Sequence, residues 1–111
     1  MLDLALTKRL RRIVAGDPTT ESELRTLADQ AGGWERAVSA QLRAAEDRLG
    51  RLNADPASPL AGMATEIRRV ETLKQELDEA RSLLAGLEDR TRELRTSWLK
   101  YHAESARQRQ T

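Results

Sequence analysis

Residues 70–101 have the sequence VETLKQELDEARSLLAGLEDRTRELRTSWLKY. Alternating steps of three and four residues separate a set of mostly apolar positions in this stretch, which are Val70, Leu73, Leu77, Ala80, Leu84, Leu87, Thr91, Leu94, Trp98 and Tyr101. This heptad spacing places one apolar stripe along a helix, and such a stripe is stable only when another helix covers it. The stretch therefore predicts a long helix, over residues 59–107, that packs against a partner helix.

The preceding segment supplies that partner. It has nearly the same spacing, at Leu24, Leu27, Ala31, Trp34, Val38, Leu42, Ala45, Leu49 and Leu52. Thr20 and Glu23 form a capping box that starts a helix, and Asp55-Pro56 ends it, which predicts a helix over residues 20–53. Because short connections join antiparallel neighbours, the two long helices are expected to form a hairpin.

A short first helix is predicted over residues 2–15, before Asp17-Pro18. It either covers residues 94–105, which we favour, or folds back as a third helix of the bundle. The predicted fold is all-α, a single domain over residues 1–111: a long, coiled-coil-like antiparallel hairpin with a short N-terminal helix. Because the last helix has more stripe than the middle one covers, we expect the chain to assemble into a helical bundle.

Two adjacent glycines, Gly32 and Gly33, lie within the predicted middle helix. Each glycine costs roughly 1 kcal/mol in a helix relative to alanine, which favours a kink or break at residues 32–33. The pair is then a hinge or a close backbone contact with a partner. The alternative is an ordinary helix interior against which a neighbouring chain packs tightly.

The sequence has few of the side chains that catalysis or metal binding requires. The chain has no cysteine and one histidine, and its formal net charge is +1. His102 and Glu104 are two residues apart, so they point to different faces of a helix and form no acid–base pair. We expect no enzyme activity, metal, cofactor or small-molecule substrate. Since neither a secretory signal nor a membrane-spanning apolar run is present, we expect a cytoplasmic protein.

Protein binding is the predicted function, in a non-enzymatic scaffold, adaptor or chaperone-like module that packs helices against another protein or against a second copy in a homodimer. The candidate partner-binding residues are Trp98, Tyr101, Leu94 and Trp34. Trp98 and Tyr101 lie one turn apart, and aromatic residues are common interface anchors. The alternative, which we favour, is burial beneath the first helix or across a dimer interface.

Anion binding is the alternative function. Lys8, Arg9, Arg11 and Arg12 form a basic face on the first helix, opposite its apolar side chains. Such a helix can contact nucleic-acid phosphates or an anionic surface. The structural interpretation is a docking helix whose Arg9 or Arg12 pairs with Glu93 or Glu104, and we favour it over the anion site.

Overall fold

The protein forms three helices in the computed structural model, which describes residues 4–110. These are α1 (Leu4–Val14), α2 (Glu21–Ala54) and α3 (Leu60–Gln110), and no strand occurs among the described residues. Residues 2 and 3 of the predicted first helix lie outside that range. The predicted fold class is confirmed, because α2 and α3 form a long helical hairpin and α1 is a short N-terminal helix.

Helix α1 ends in a glycine cap. Gly16 has a φ of 113°, in the left-handed region that glycine adopts without strain. Its backbone N–H donates to the carbonyl of Ile13 at 3.1 Å, and the N–H of Asp17 donates to the carbonyl of Arg12 at 3.0 Å. This pair of bonds is the Schellman motif. The helix therefore stops at Val14, one residue earlier than predicted.

Helix α2 starts at the predicted cap, and its first turn is tied to α1. The Thr20 hydroxyl accepts a hydrogen bond from the backbone N–H of Glu23 at 3.1 Å. The Glu23 carboxylate accepts a hydrogen bond from Arg9 Nε at 2.6 Å. Glu23 thus joins two helices, a role that the capping-box spacing alone did not predict.

The connection between the long helices is a hydrogen-bonded turn centred on Asp55. Its side chain accepts from the N–H of Ala57 at 2.9 Å, and its carbonyl accepts from the N–H of Ser58 at 3.1 Å. The carbonyl of Pro59 accepts the bond from Met63 that opens the next helix. Helix α3 begins at residue 60 and continues to residue 110, three residues beyond its predicted end.

The glycine pair lies inside a continuous helix. Helix α2 runs through Gly32 and Gly33 without interruption, and neither has a positive φ. The nearest atoms to a Cβ added at either position belong to the Arg36 guanidinium, at 3.3 and 4.0 Å. A hinge at this pair stays a prediction.

Two compact units make up the chain. The turn unit comprises residues 30–82, on both sides of the Asp55 turn. Its core contains the facing residues Val38, Leu42 and Ala45 of α2 and Val70, Leu73 and Leu77 of α3. Trp34 and Leu49 pack against this core. Every one of these residues belongs to the two predicted stripes, so the hairpin is held here by the predicted contacts.

The terminal unit comprises the described residues up to Asp29 together with the described residues from Leu83 onward. Helix α1 provides Leu10 and Ile13 to its interior, and both are 0% exposed. Four leucines of α2 and α3 are also buried here, namely Leu24, Leu27, Leu83 and Leu87. Three helical segments therefore share one apolar interior.

One expectation for the terminal unit was incomplete and one was wrong. Leu83, which is outside the predicted stripe, is buried, and Leu84 is half-buried, because in this unit α3 packs against α1 as well as α2 and so buries a wider face. Helix α1 does not cover residues 94–105. Val14, at its end, lies against Gly86, and Trp98 and Tyr101 remain exposed.

Helix α1 can approach α3 closely because residue 86 has no side chain. A Cβ built on Gly86 would lie 2.8 Å from both Cγ atoms of Val14. We expect Gly86→Ala to destabilise the protein by about 1–3 kcal/mol, since the added methyl group displaces α1. Chemical denaturation measures the change.

A matched control is Gly50→Ala, on α2, where an added Cβ meets nothing within 4 Å. It should stabilise the protein by roughly 0.5–1 kcal/mol through helix propensity. If Gly86→Ala gives the same stabilisation, or if Val14→Ala does not relieve its destabilisation, α1 does not pack against this glycine.

The different burial of Leu83 and Leu84 predicts different stability losses when each is truncated. We expect Leu83→Ala to cost about 2–5 kcal/mol of unfolding free energy and Leu84→Ala clearly less, because only the first leaves a cavity among buried side chains. The urea midpoints of the two variants test this order. Equal losses, or a larger loss for Leu84→Ala, would restore the simple heptad assignment.

Candidate interaction surface

Helix α3 extends past the start of α2 in the terminal unit. Arg95 NH2 lies 3.5 Å from Glu21 Oε1, at the first residue of α2. From residue 96 to residue 109, every side chain of α3 is exposed except that of Ser105, which is half-buried. The helix therefore presents several turns to solvent with little contact from the described part of the chain.

Aromatic side chains are concentrated in these turns. Trp98 is 60% exposed and Tyr101 is 68% exposed. The His102 ring lies near both, with its centroid 4.0 Å from that of Trp98 and 5.6 Å from that of Tyr101. We call the surface formed by Leu94, Trp98, Tyr101 and His102 the aromatic end. His102 thus contacts both of the larger rings of this surface.

A groove leads from this surface into the terminal unit. Its volume is about 370 Å³, and its lining includes the apolar residues Leu24, Leu94 and Trp98 and the charged residues Glu21 and Arg95. Leu24 is buried, whereas Leu94 is half-buried and Trp98 is exposed. The apolar stripe of α3 thus passes from a covered part to an open part at Leu94.

Trp34 has a different environment from the other partner-binding candidates. It is half-buried in the turn unit, and its indole Nε1–H donates to Glu76 Oε1 at 2.9 Å. Because its polar atom is satisfied and its ring packs against the core, Trp34 contributes to the hairpin itself. Leu94 and Trp98 line one groove of the terminal unit and Tyr101 follows one turn later on α3, whereas Trp34 belongs to the turn unit.

The basic face of α1 is divided between packing and solvent. Arg9 forms an ion pair with Glu23. Lys8, Arg11 and Arg12 are exposed, and among residues 4–110 neither Lys8 nor Arg12 has an ion pair. The expected partners Glu93 and Glu104 are not used by Arg9, because α1 packs beside the start of α2.

Arg90 joins the segment after α1 to α3. Its guanidinium donates to the backbone carbonyl of Asp17 at 3.3 Å and to Glu93 Oε2 at 3.4 Å. The Nε atom is buried and has no hydrogen-bond partner. Sequence spacing gave no signal for this contact, because the two residues are far apart in the chain.

The described residues contain neither a metal-binding cluster nor a membrane-spanning helix. No group of three or more His, Asp or Glu side chains in residues 4–110 is placed to hold a metal ion. None of the three described helices is long and apolar enough to span a membrane.

Comparisons with protein-family models, curated protein sequences and solved structures give no significant match to this chain.

Proposed function

We propose that this protein is a non-enzymatic helical interaction module, a scaffold, adaptor or chaperone-like protein, that binds another protein through its aromatic end. One observation carries the proposal. The stripe that is buried at Leu87 continues along α3 to Trp98 and Tyr101, which are exposed.

Two physical arguments support this function. Tryptophan and tyrosine are the residues most often found as energetic anchors of protein interfaces, since each buries a large area at low entropic cost. A solvated helical extension also gains little stability from its own backbone, so most of its stability must come from packing. A partner helix on the aromatic end would supply that packing.

The chain contains a matched control for this surface. Leu99 is 61% exposed, close to the 60% of Trp98, but lies about 100° further round the helix. Affinity capture from nuclease-treated lysate of the source cells, followed by a high-salt wash, tests this surface. We expect the wild type and Leu99→Ala to retain specific proteins. They should be lost with Trp98→Ala.

Circular dichroism of each variant checks that α-helix content and melting are unchanged, as expected for exposed side chains. Capture that is equal for Trp98→Ala and the wild type would contradict binding at the aromatic end. A second copy of the chain is the alternative partner, and sedimentation of the same variants measures it directly.

We propose anion binding by α1 as a second candidate function. Its support is the pair Lys8 and Arg12, one turn apart, exposed and without ion pairs in the described range. The apolar residues Leu10 and Ile13 are fully buried and only Leu4 and Val14, at the two ends of α1, are exposed, so the middle of its apolar face does not reach a lipid surface. Contact with the phosphates of a nucleic acid is the mode that this arrangement favours.

The double variant Lys8→Ala/Arg12→Ala tests this candidate. We expect it to weaken binding to a DNA duplex and to lower the slope of log Kd against log salt by about 1–2, one for each lost phosphate contact. Arg43→Ala/Arg51→Ala, which removes the same charge from exposed positions of α2, is the control. If the two double variants weaken DNA binding equally, the effect comes from the net charge and not from a site on α1.

A further inference from the structure

Two ion pairs join a glutamate of α2 to an arginine of α3, whereas a third, between Arg48 and Glu66, has the opposite polarity. In the turn unit, Arg81 Nε lies 3.4 Å from Glu35 Oε1. In the terminal unit, Arg95 NH2 lies 3.5 Å from Glu21 Oε1. The two arginines are two heptads apart on α3, and the two glutamates are two heptads apart on α2. By sequence spacing both arginines therefore occupy the same heptad position beside the predicted stripe, and Glu88 occupies that position in the heptad between them.

The same flank of α3 continues beyond the start of α2. One heptad after Arg95 this position is His102, and two heptads after it the position is Arg109. The apolar stripe continues beside it through Trp98 and Tyr101. Because α2 begins at residue 21, it provides neither apolar side chains nor carboxylates to these turns.

The extension of α3 is basic overall. Residues 96–110 contain Lys100, Arg107 and Arg109 but only one acidic residue, Glu104. A second copy of the chain would bring the same positive charge to the interface, and like charges across an interface are unfavourable. An acidic occupant would gain from the same charges.

Resting on the proposed function, we propose that the partner is an amphipathic helix with acidic residues beside its apolar stripe, seated on the aromatic end along the continuation of α2. Its apolar residues contact Trp98 and Tyr101, and its carboxylates face His102 and Arg109. The groove between Leu24 and Leu94 receives an apolar side chain at the end nearest α2. The Glu21–Arg95 pair is the internal example of the polar contact.

Two designed helical peptides test the partner's chemistry. They have the same length and the same leucine heptads, and differ only in having glutamate or lysine at the flanking positions. By fluorescence anisotropy with the full chain at low salt, we expect the glutamate peptide to bind at least about tenfold more tightly than the lysine peptide. The preference should shrink as salt screens the charges.

Substitutions on the protein locate the contact. Trp98→Ala should weaken binding of the glutamate peptide by about tenfold or more, whereas Leu99→Ala should leave it nearly unchanged. Arg109→Glu should reduce the preference for the glutamate peptide by about fivefold or more. Arg107→Glu makes the same change of charge at a different heptad position, and it should reduce the preference by clearly less.

Equal affinity for the two peptides, or equal effects of Arg109→Glu and Arg107→Glu, would overturn the acidic partner. A dimer that Trp98→Ala dissociates in sedimentation would overturn it as well, because the occupant is then a second copy. In these cases the capture experiment with Trp98→Ala and Leu99→Ala still decides separately whether the aromatic end binds protein.

Discussion

The apolar stripe of α3 has to be covered along its length, and most of the structure follows from how far that cover reaches. Helix α3 has 51 residues, whereas α2 has 34 and α1 has 11. In the turn unit the stripe packs against α2, and in the terminal unit it packs against α2 and α1. Past the Glu21–Arg95 pair, the described residues leave the stripe open at Trp98 and Tyr101. Because uncovered apolar surface is unfavourable in water, this end of α3 is where we propose that a partner binds.

Short-range interactions join α1 to the rest of the terminal unit. Gly86 removes the side chain that would separate α1 from α3, and Glu23 holds Arg9. Arg90 contacts the backbone of Asp17, just after the α1 cap. These contacts place α1 beside the covered part of α3. The proposed binding surface exists because α1 packs there and leaves residues 98–101 exposed.

Much of this structure was predictable from local sequence. The stripes, the Thr20 cap and the Asp55-Pro56 turn fixed the number of helices and most of their ends to within a residue or so, because periodicity and capping depend on neighbouring residues. The Gly16 cap was also available, since a glycine just after a basic last turn is a typical helix end. Burial of Trp98 and Tyr101 beneath α1 was wrong, because it needed the docking position of α1, which no local pattern contains; their burial across a dimer interface stays a prediction.

The sequence by itself therefore determined that the protein is an all-helical hairpin with a short N-terminal helix, and which faces of its helices are apolar. The tertiary structure alone decided that Leu83 is more fully buried than Leu84, that Trp34 bonds to Glu76, and that Leu94 and Trp98 line an open groove. The physical reason is that burial depends on which helix covers which part of a stripe. That choice is made by contacts such as Val14 with Gly86, between residues distant in the chain.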